Sequence, residues 1–125
     1  MENIKQRDRK LVLVVDDDAA VRESMSELLE AKGYSVMQAD NGQKALDVLH
    51  GGTRLPCMVV LDLTMPVMDG RAFLILRSVD PMLRDVPVVV ISGDIQSGAR
   101  LKGIDAYLRK PVKIDHLIDI IGQHC

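Results

Sequence analysis

"LVLVVDDDAAV", residues 11–21, is the stretch whose reading decides the fold. Five apolar residues run without a polar break and then meet Asp16, Asp17 and Asp18. A continuous apolar run of strand length suits a strand covered on both faces, as in a parallel sheet flanked by helices. The three carboxylates that follow repel one another. At about 5 Å and an effective dielectric near 20, each close pair costs about 3 kcal/mol. A buried strand that delivers such a cluster to its exit calls for a compensating cation.

Outward from this stretch, short β-branched runs alternate with helix-periodic segments along the chain. Val21, Met25, Leu28 and Leu29 fall on one helical face that stops at Gly33, a C′ glycine. "YSVMQA" (34–39) reads as a more polar edge strand, and Asn41 as the start of a helix that buries Ala45, Leu46 and Leu49. "CMVVLDL" (57–63) is a second buried strand ending on an acid, Asp62. "TMPVMDG" is the loop after it, in which Met65, Pro66 and Met68 are read as packing residues. A helix from about Arg71 to Ser78 is expected to present Ala72, Ile75 and Leu76. "VPVVVIS" (86–92) and "IDAYL" (104–108) are the remaining strands, and Ile114, Leu117, Ile118 and Ile121 form the buried face of a last helix. Five strands and five helices are expected. The fourth helix, between Ser92 and Ile104, is expected to be short, because each interior glycine costs about 1 kcal/mol relative to alanine. Gly93, Gly98 and Gly103 all lie there.

A chain of 125 residues supports one core. Residues 1–9 are expected to be a flexible leader and residues 10–125 the single domain. The net charge of −2 offers no bulk attraction to phosphate backbones, so direct nucleic-acid binding is not expected. No apolar run has the length of a membrane span, and the polar start "MENIKQRDRK" is not a signal peptide, so a cytoplasmic protein is expected. Cys57 and Cys125 are far apart in sequence; a buried Cys57 and a loose Cys125 are expected rather than a disulfide or zinc site. His50, His116 and His124 form no ligand cluster and are read as surface residues.

In an open parallel sheet, ligands bind outside the carboxyl ends of the strands, where strand order reverses. Asp16 and Asp17 end the first strand, Asp62 the third and Ser92 the fourth, and Lys110 follows the fifth. Clustered carboxylates with a lysine and a hydroxyl suit a hard cation and a phosphoryl group. Mg²⁺ takes oxygen ligands, commonly one or two carboxylates plus phosphate oxygens. A carboxylate can serve as the nucleophile of phosphoryl transfer, while the cation, the ammonium and the hydroxyl stabilise the equatorial oxygens.

"VLVVDDD", "VVLDLTMPVMDG", "VVVISGD" and "DAYLRKP", in this order and at these separations, resemble the CheY-like receiver domain of bacterial two-component response regulators over essentially all of residues 10–122. The resemblance implies an α/β, flavodoxin-like, doubly wound five-stranded parallel sheet of order 2-1-3-4-5 with helices on both faces. It implies that Asp62 accepts a phosphoryl group from a histidine kinase or histidine phosphotransfer protein and that a downstream protein target reads the change. Asp17 and Asp62 would bind Mg²⁺ directly, Asp16 mainly through water, and the Thr64 backbone carbonyl would complete the protein ligands. Lys110 would pair with the phosphoryl oxygens, and its bond to Pro111 would be cis. Ser92 and then Tyr107 would move inward as a switch, and Thr64 and Asp94 sit where side chains influence hydrolysis. Asp18 occupies the variable third place of the acidic run and is left out of the site, with a helix N-cap as its alternative reading.

The chain departs from the family in the segment between Ser92 and Lys110, which is about one turn short. The surface used for dimerisation or output in receivers is therefore expected to differ here. Two rival readings remain: a protein-binding module that kept the fold without phosphorylation, and a small haloacid-dehalogenase-like phosphatase using Asp16 and Asp18. The intact set of Asp62, Ser92 and Lys110 weighs against the first. "AAV" after Asp18, in place of a Gly/Thr turn, weighs against the second, as does the missing cap insertion. On either side of these rivals, the chain reads as a switch rather than an enzyme, whether stand-alone or part of a larger protein.

Overall fold

The structure is a computed structural model and describes residues 10–52, 54–63, 65, 67–93 and 101–125. Strands β1 (Leu11–Val15), β2 (Ser35–Ala39), β3 (Met58–Asp62), β4 (Val88–Ser92) and β5 (Ala106–Arg109) pair in parallel in the order β2-β1-β3-β4-β5. Helices α1 (Ala19–Ala31), α2 (Gly42–Gly51), α3 (Gly70–Ser78) and α4 (Ile114–His124) connect or follow them. The doubly wound, flavodoxin-like order expected from the sequence is the observed one. The expected short helix falls mainly on residues 94–100, outside the described residues.

Strand parity builds two cores. Leu13, Val15, Val59, Leu61, Val88 and Val90 point to one face and pack with Ala45, Leu49 and Phe73 of α2 and α3. Val12, Val14, Val60, Val89 and Ile91 point to the other and pack with Met25 and Leu29 of α1 and Leu117 and Ile121 of α4. Burial on both faces is why these strands read as unbroken apolar runs.

The helix ends follow their local chemistry. Asp18 caps α1 by accepting from the Ala20 and Val21 N–H groups at 3.0 and 3.2 Å. Asn41 caps α2 through the Lys44 N–H at 2.8 Å. At the end of α1, Gly33 takes φ +97° while Tyr34 N–H reaches back to the Leu29 carbonyl at 3.2 Å, a left-handed stop suited to glycine.

Three expectations are corrected. Helix α3 turns Phe73, Leu74 and Arg77 inward, whereas Ile75 and Leu76 are 66% and 43% exposed. Buried Arg77 is accommodated because Nε and Nη2 donate to the Val86 carbonyl at 3.1 and 2.5 Å and Nη1 to the Gly103 carbonyl at 3.1 Å. Burial nevertheless pushes its pKa down, against the opposing pull of Asp105 and Asp85. On α1, Val21 and Leu28 are exposed rather than part of the buried face. Finally, Cys57 and Cys125 form a disulfide, with Cα atoms 5.4 Å apart. Docking α4 across the sheet brings its end to the start of β3, a proximity that 68 residues of separation conceal. Both cysteines are half-buried against the α1/α4 core.

Candidate functional site

Register assembles the acidic crevice. β1 and β3 are aligned from Val12 opposite Met58 to Val15 opposite Leu61, so Asp16 and Asp62 leave the sheet side by side. Asp62 is opposite Ile91, and Ser92 is opposite Arg109, which brings Ser92 and Lys110 to the same level. Strand order reverses between β1 and β3, and the crevice opens there.

Carboxylate oxygens of Asp16, Asp17 and Asp62 lie within 4.8 Å of one another. Asp16, Asp62 and Ser92 are each 4% exposed, while Asp17 faces solvent. Lys110 Nζ is 3.4 Å from Asp62 Oδ1, and the Lys110 N–H donates to the Ser92 carbonyl at 2.9 Å. The Lys110–Pro111 peptide is cis, as the resemblance implies. Burial raises the Asp16 pKa. That effect outweighs the stabilising hydrogen bond from the Asp18 N–H and the attraction of Lys110, and repulsion from Asp17 and Asp18 adds to it. Three clustered carboxylates, two of them buried, form an all-oxygen donor set, the chemistry a hard divalent cation requires. The donor set therefore fits Mg²⁺.

The backbone of Gly70 closes onto the end of β3. Gly70 N–H donates to the Leu63 carbonyl at 2.9 Å, and a Cβ on Gly70 would come within 2.8 Å of the Asp62 carbonyl oxygen. Only glycine permits that approach. Val67 in the loop after β3 adopts φ +67°, an uncommon conformation for a β-branched residue.

Asp16, Asp17, Asp62, Ser92 and Lys110 are thus gathered at one edge. Tyr107 is half-buried and packs with the α2/α3 core. Thr64, Pro66 and Asp94 lie outside the described residues. Two features were not read from the sequence. Arg22 of α1 donates Nη1–H to the Asp16 carbonyl at 2.8 Å and Nε–H to Gln38 Oε1 at 3.0 Å. A basic residue one turn after an acidic N-cap was the available signal. The second is a groove of about 710 Å³ between α1 and the β5–α4 loop. Val21, Met25 and Leu28 line one wall and Pro111, Val112 and Ile114 the other, with Asp16 and Lys110 where it meets the crevice.

A five-stranded doubly wound sheet in this strand order is the CheY-like, flavodoxin-like fold, here with acids at its switch point. The response regulator receiver domain model matches residues 12–122, and the chain belongs to that family. Response regulator MprA of Mycolicibacterium vanbaalenii is 39% identical over 111 residues, covering 86% of this chain and 46% of that protein. The chain spans about half the length of the curated relatives it matches. A response regulator receiver protein from Pseudomonas putida superposes with a TM-score of 0.85 at 28% identity, covering 92% of this chain and 97% of that one. The receiver domain of a signal transduction histidine kinase from Syntrophus aciditrophicus superposes with a TM-score of 0.81 at 28% identity, covering 91% and 88%. The chain is a response-regulator receiver, a family of two-component signalling switches rather than of standard enzymes. Among the described residues no helix is long and apolar enough to cross a membrane.

Proposed function

We propose that residues 10–125 act as a phospho-accepting switch in which Asp62 takes a phosphoryl group from a phosphohistidine of a histidine kinase or phosphotransfer protein. The observation that carries this reading is the pairing of buried Asp62 with Lys110 Nζ at 3.4 Å, inside a cluster of three carboxylates. An Asp62 carboxylate oxygen attacks phosphorus as the phosphorus–nitrogen bond to the donor imidazole breaks, and the bonding pair stays on that imidazole. Lys110 offsets charge on the phosphoryl oxygens, and Ser92 offers its hydroxyl to one of them. Asp16, Asp17 and Asp62, with the Thr64 carbonyl, would hold Mg²⁺, which neutralises the cluster and supplies positive charge to the transferring group. Water attack on the aspartyl phosphate returns Asp62 and phosphate.

The apolar groove beside the crevice suits the helix of a phosphodonor, because it leads from Val21 and Leu28 to Asp16 and Lys110. Inward movement of Ser92 and Tyr107 then alters the surface that a downstream protein target reads in the cytoplasm.

Incubation with acetyl phosphate and Mg²⁺, followed by intact-protein mass analysis, tests the reading. One phosphoryl adduct is expected, absent without Mg²⁺ and absent in Asp62→Asn. An adduct that survives Asp62→Asn would overturn the assignment of the acceptor. Turnover of a generic phosphate ester that depends on Asp16 and not Asp62 would instead support a phosphatase.

A further inference from the structure

Arg22 reaches the crevice from outside the set of residues that face it. It is half-buried on α1, and its planar guanidinium is held at two points. Nη1–H donates to the Asp16 carbonyl at 2.8 Å, and Nε–H donates to Gln38 Oε1 on β2 at 3.0 Å. The Asp16 residue is constrained on its other polar atoms as well. Its N–H donates to the Ala39 carbonyl at 3.1 Å, and its Oδ1 accepts the Asp18 N–H at 2.9 Å.

The Asp16 carbonyl belongs to the peptide that joins Asp16 to Asp17. A peptide is planar, so fixing its oxygen fixes the plane from which the Asp17 Cα departs. The contact thus reaches the cluster through the Asp16 backbone oxygen and not through its carboxylates. From these contacts we infer that Arg22, clamped by Gln38, is a positioning residue that sets the cation affinity of the Asp16–Asp17–Asp62 cluster through the Asp16 carbonyl. The inference rests on the reading of that cluster as the Mg²⁺ site.

Calorimetric titration of the metal-free full chain with MgCl₂ at pH 7 tests it, alongside thermal melts of the same metal-free samples. Arg22→Met is expected to weaken Mg²⁺ binding about 10-fold, the scale seen when a group that orients a metal ligand is lost. Arg22→Lys keeps one donor for the carbonyl but not the fork to Gln38, and should recover part of the loss. Gln38→Ala releases the clamp alone and should weaken binding less than Arg22→Met. A merely structural arginine would lower the metal-free melting temperature and leave the dissociation constant where it was. Mg²⁺ affinity within twofold of wild type in Arg22→Met overturns the inference and leaves the cation site standing. If Arg22→Met does not fold, Gln38→Ala decides: unchanged affinity there overturns the inference. A wild-type chain that binds no Mg²⁺ overturns the site and the inference together.

Discussion

The two ends of the sheet are built on opposite electrostatic terms. At the carboxyl edge, Asp16, Asp17 and Asp62 crowd within 4.8 Å with Lys110 as a partner of Asp62. At the amino edge, charged groups come in matched or satisfied sets. His50 Nε2 meets Asp80 Oδ2 at 2.6 Å, His124 Nε2 lies 3.6 Å from Asp105 Oδ1, and Arg77 is bound by two carbonyls. The Cys57–Cys125 disulfide sits at the same end. One edge is left in tension that a ligand can relieve, while the other is closed by the chain itself. The difference teaches where folding stability and where function are concentrated, since perturbed and crowded ionisable groups mark sites of chemistry.

Breaking the closed edge should have the largest effect on stability. Cys125→Ser removes a cross-link over 68 residues of sequence, and chain-entropy arguments put its contribution at about 4 kcal/mol. Urea unfolding with and without dithiothreitol checks this: reductant should lower the wild-type midpoint to that of Cys125→Ser and leave the variant unmoved. A wild-type midpoint indifferent to reductant would remove the covalent part of the contrast.

An intermediate effect of opposite sign is expected at the open edge. The Asp16 pKa is raised, chiefly by burial, so its ionisation opposes folding. In linkage terms, the folded state holds this proton more tightly than the unfolded state. Stability therefore falls as pH rises from the ordinary carboxylate value through the raised one. Asp16→Asn keeps an oxygen for the Asp18 N–H and should raise metal-free stability by about 1 kcal/mol or more, the scale of one relieved repulsion at a partly screened site. Calorimetric melts in EDTA at pH 7 check it. Added Mg²⁺ should then stabilise the wild type more than the variant.

The smallest effect is expected at an exposed pair of the closed edge. The Asp80 pKa is lowered, first by its hydrogen bond with His50 and then by the Met82 N–H. A depressed carboxylate contributes stability above its unfolded pKa and loses it as pH falls through the folded value. Asp80→Asn should therefore melt slightly below wild type at about pH 5, above the ordinary carboxylate value, and the gap should narrow as pH falls below it. A gap that stays constant across that range would mean the carboxylate charge contributes nothing there.

How far the sequence was legible follows from which forces are local. β1, β3 and β4 were readable because burial on both faces leaves no polar residue in the run, and the acids and lysine at their exits were readable because register carries them to one level. The inward face of α3 was misread. Ile75 and Leu76 satisfy helical spacing as well as Phe73 and Leu74 do, and nothing local says that Arg77 will find the Val86 and Gly103 carbonyls. β5 starts at Ala106 rather than Ile104, because Asp105 spends its carboxylate on the Val88 N–H at 2.8 Å just before the strand. The disulfide depends on where α4 lands, which only the assembled sheet decides. Arg22 was missed for a similar reason: its partners lie on two different strands' exits.

Arg77 has a mechanical consequence for the pair of strands that carry Ser92 and Tyr107. Its guanidinium grips the chain just ahead of β4 at Val86 and ahead of β5 at Gly103, and Asp105 bonds to Val88 between them. One buried side chain of α3 thus ties the amino ends of β4 and β5 together, at the opposite end of both strands from Ser92 and Lys110.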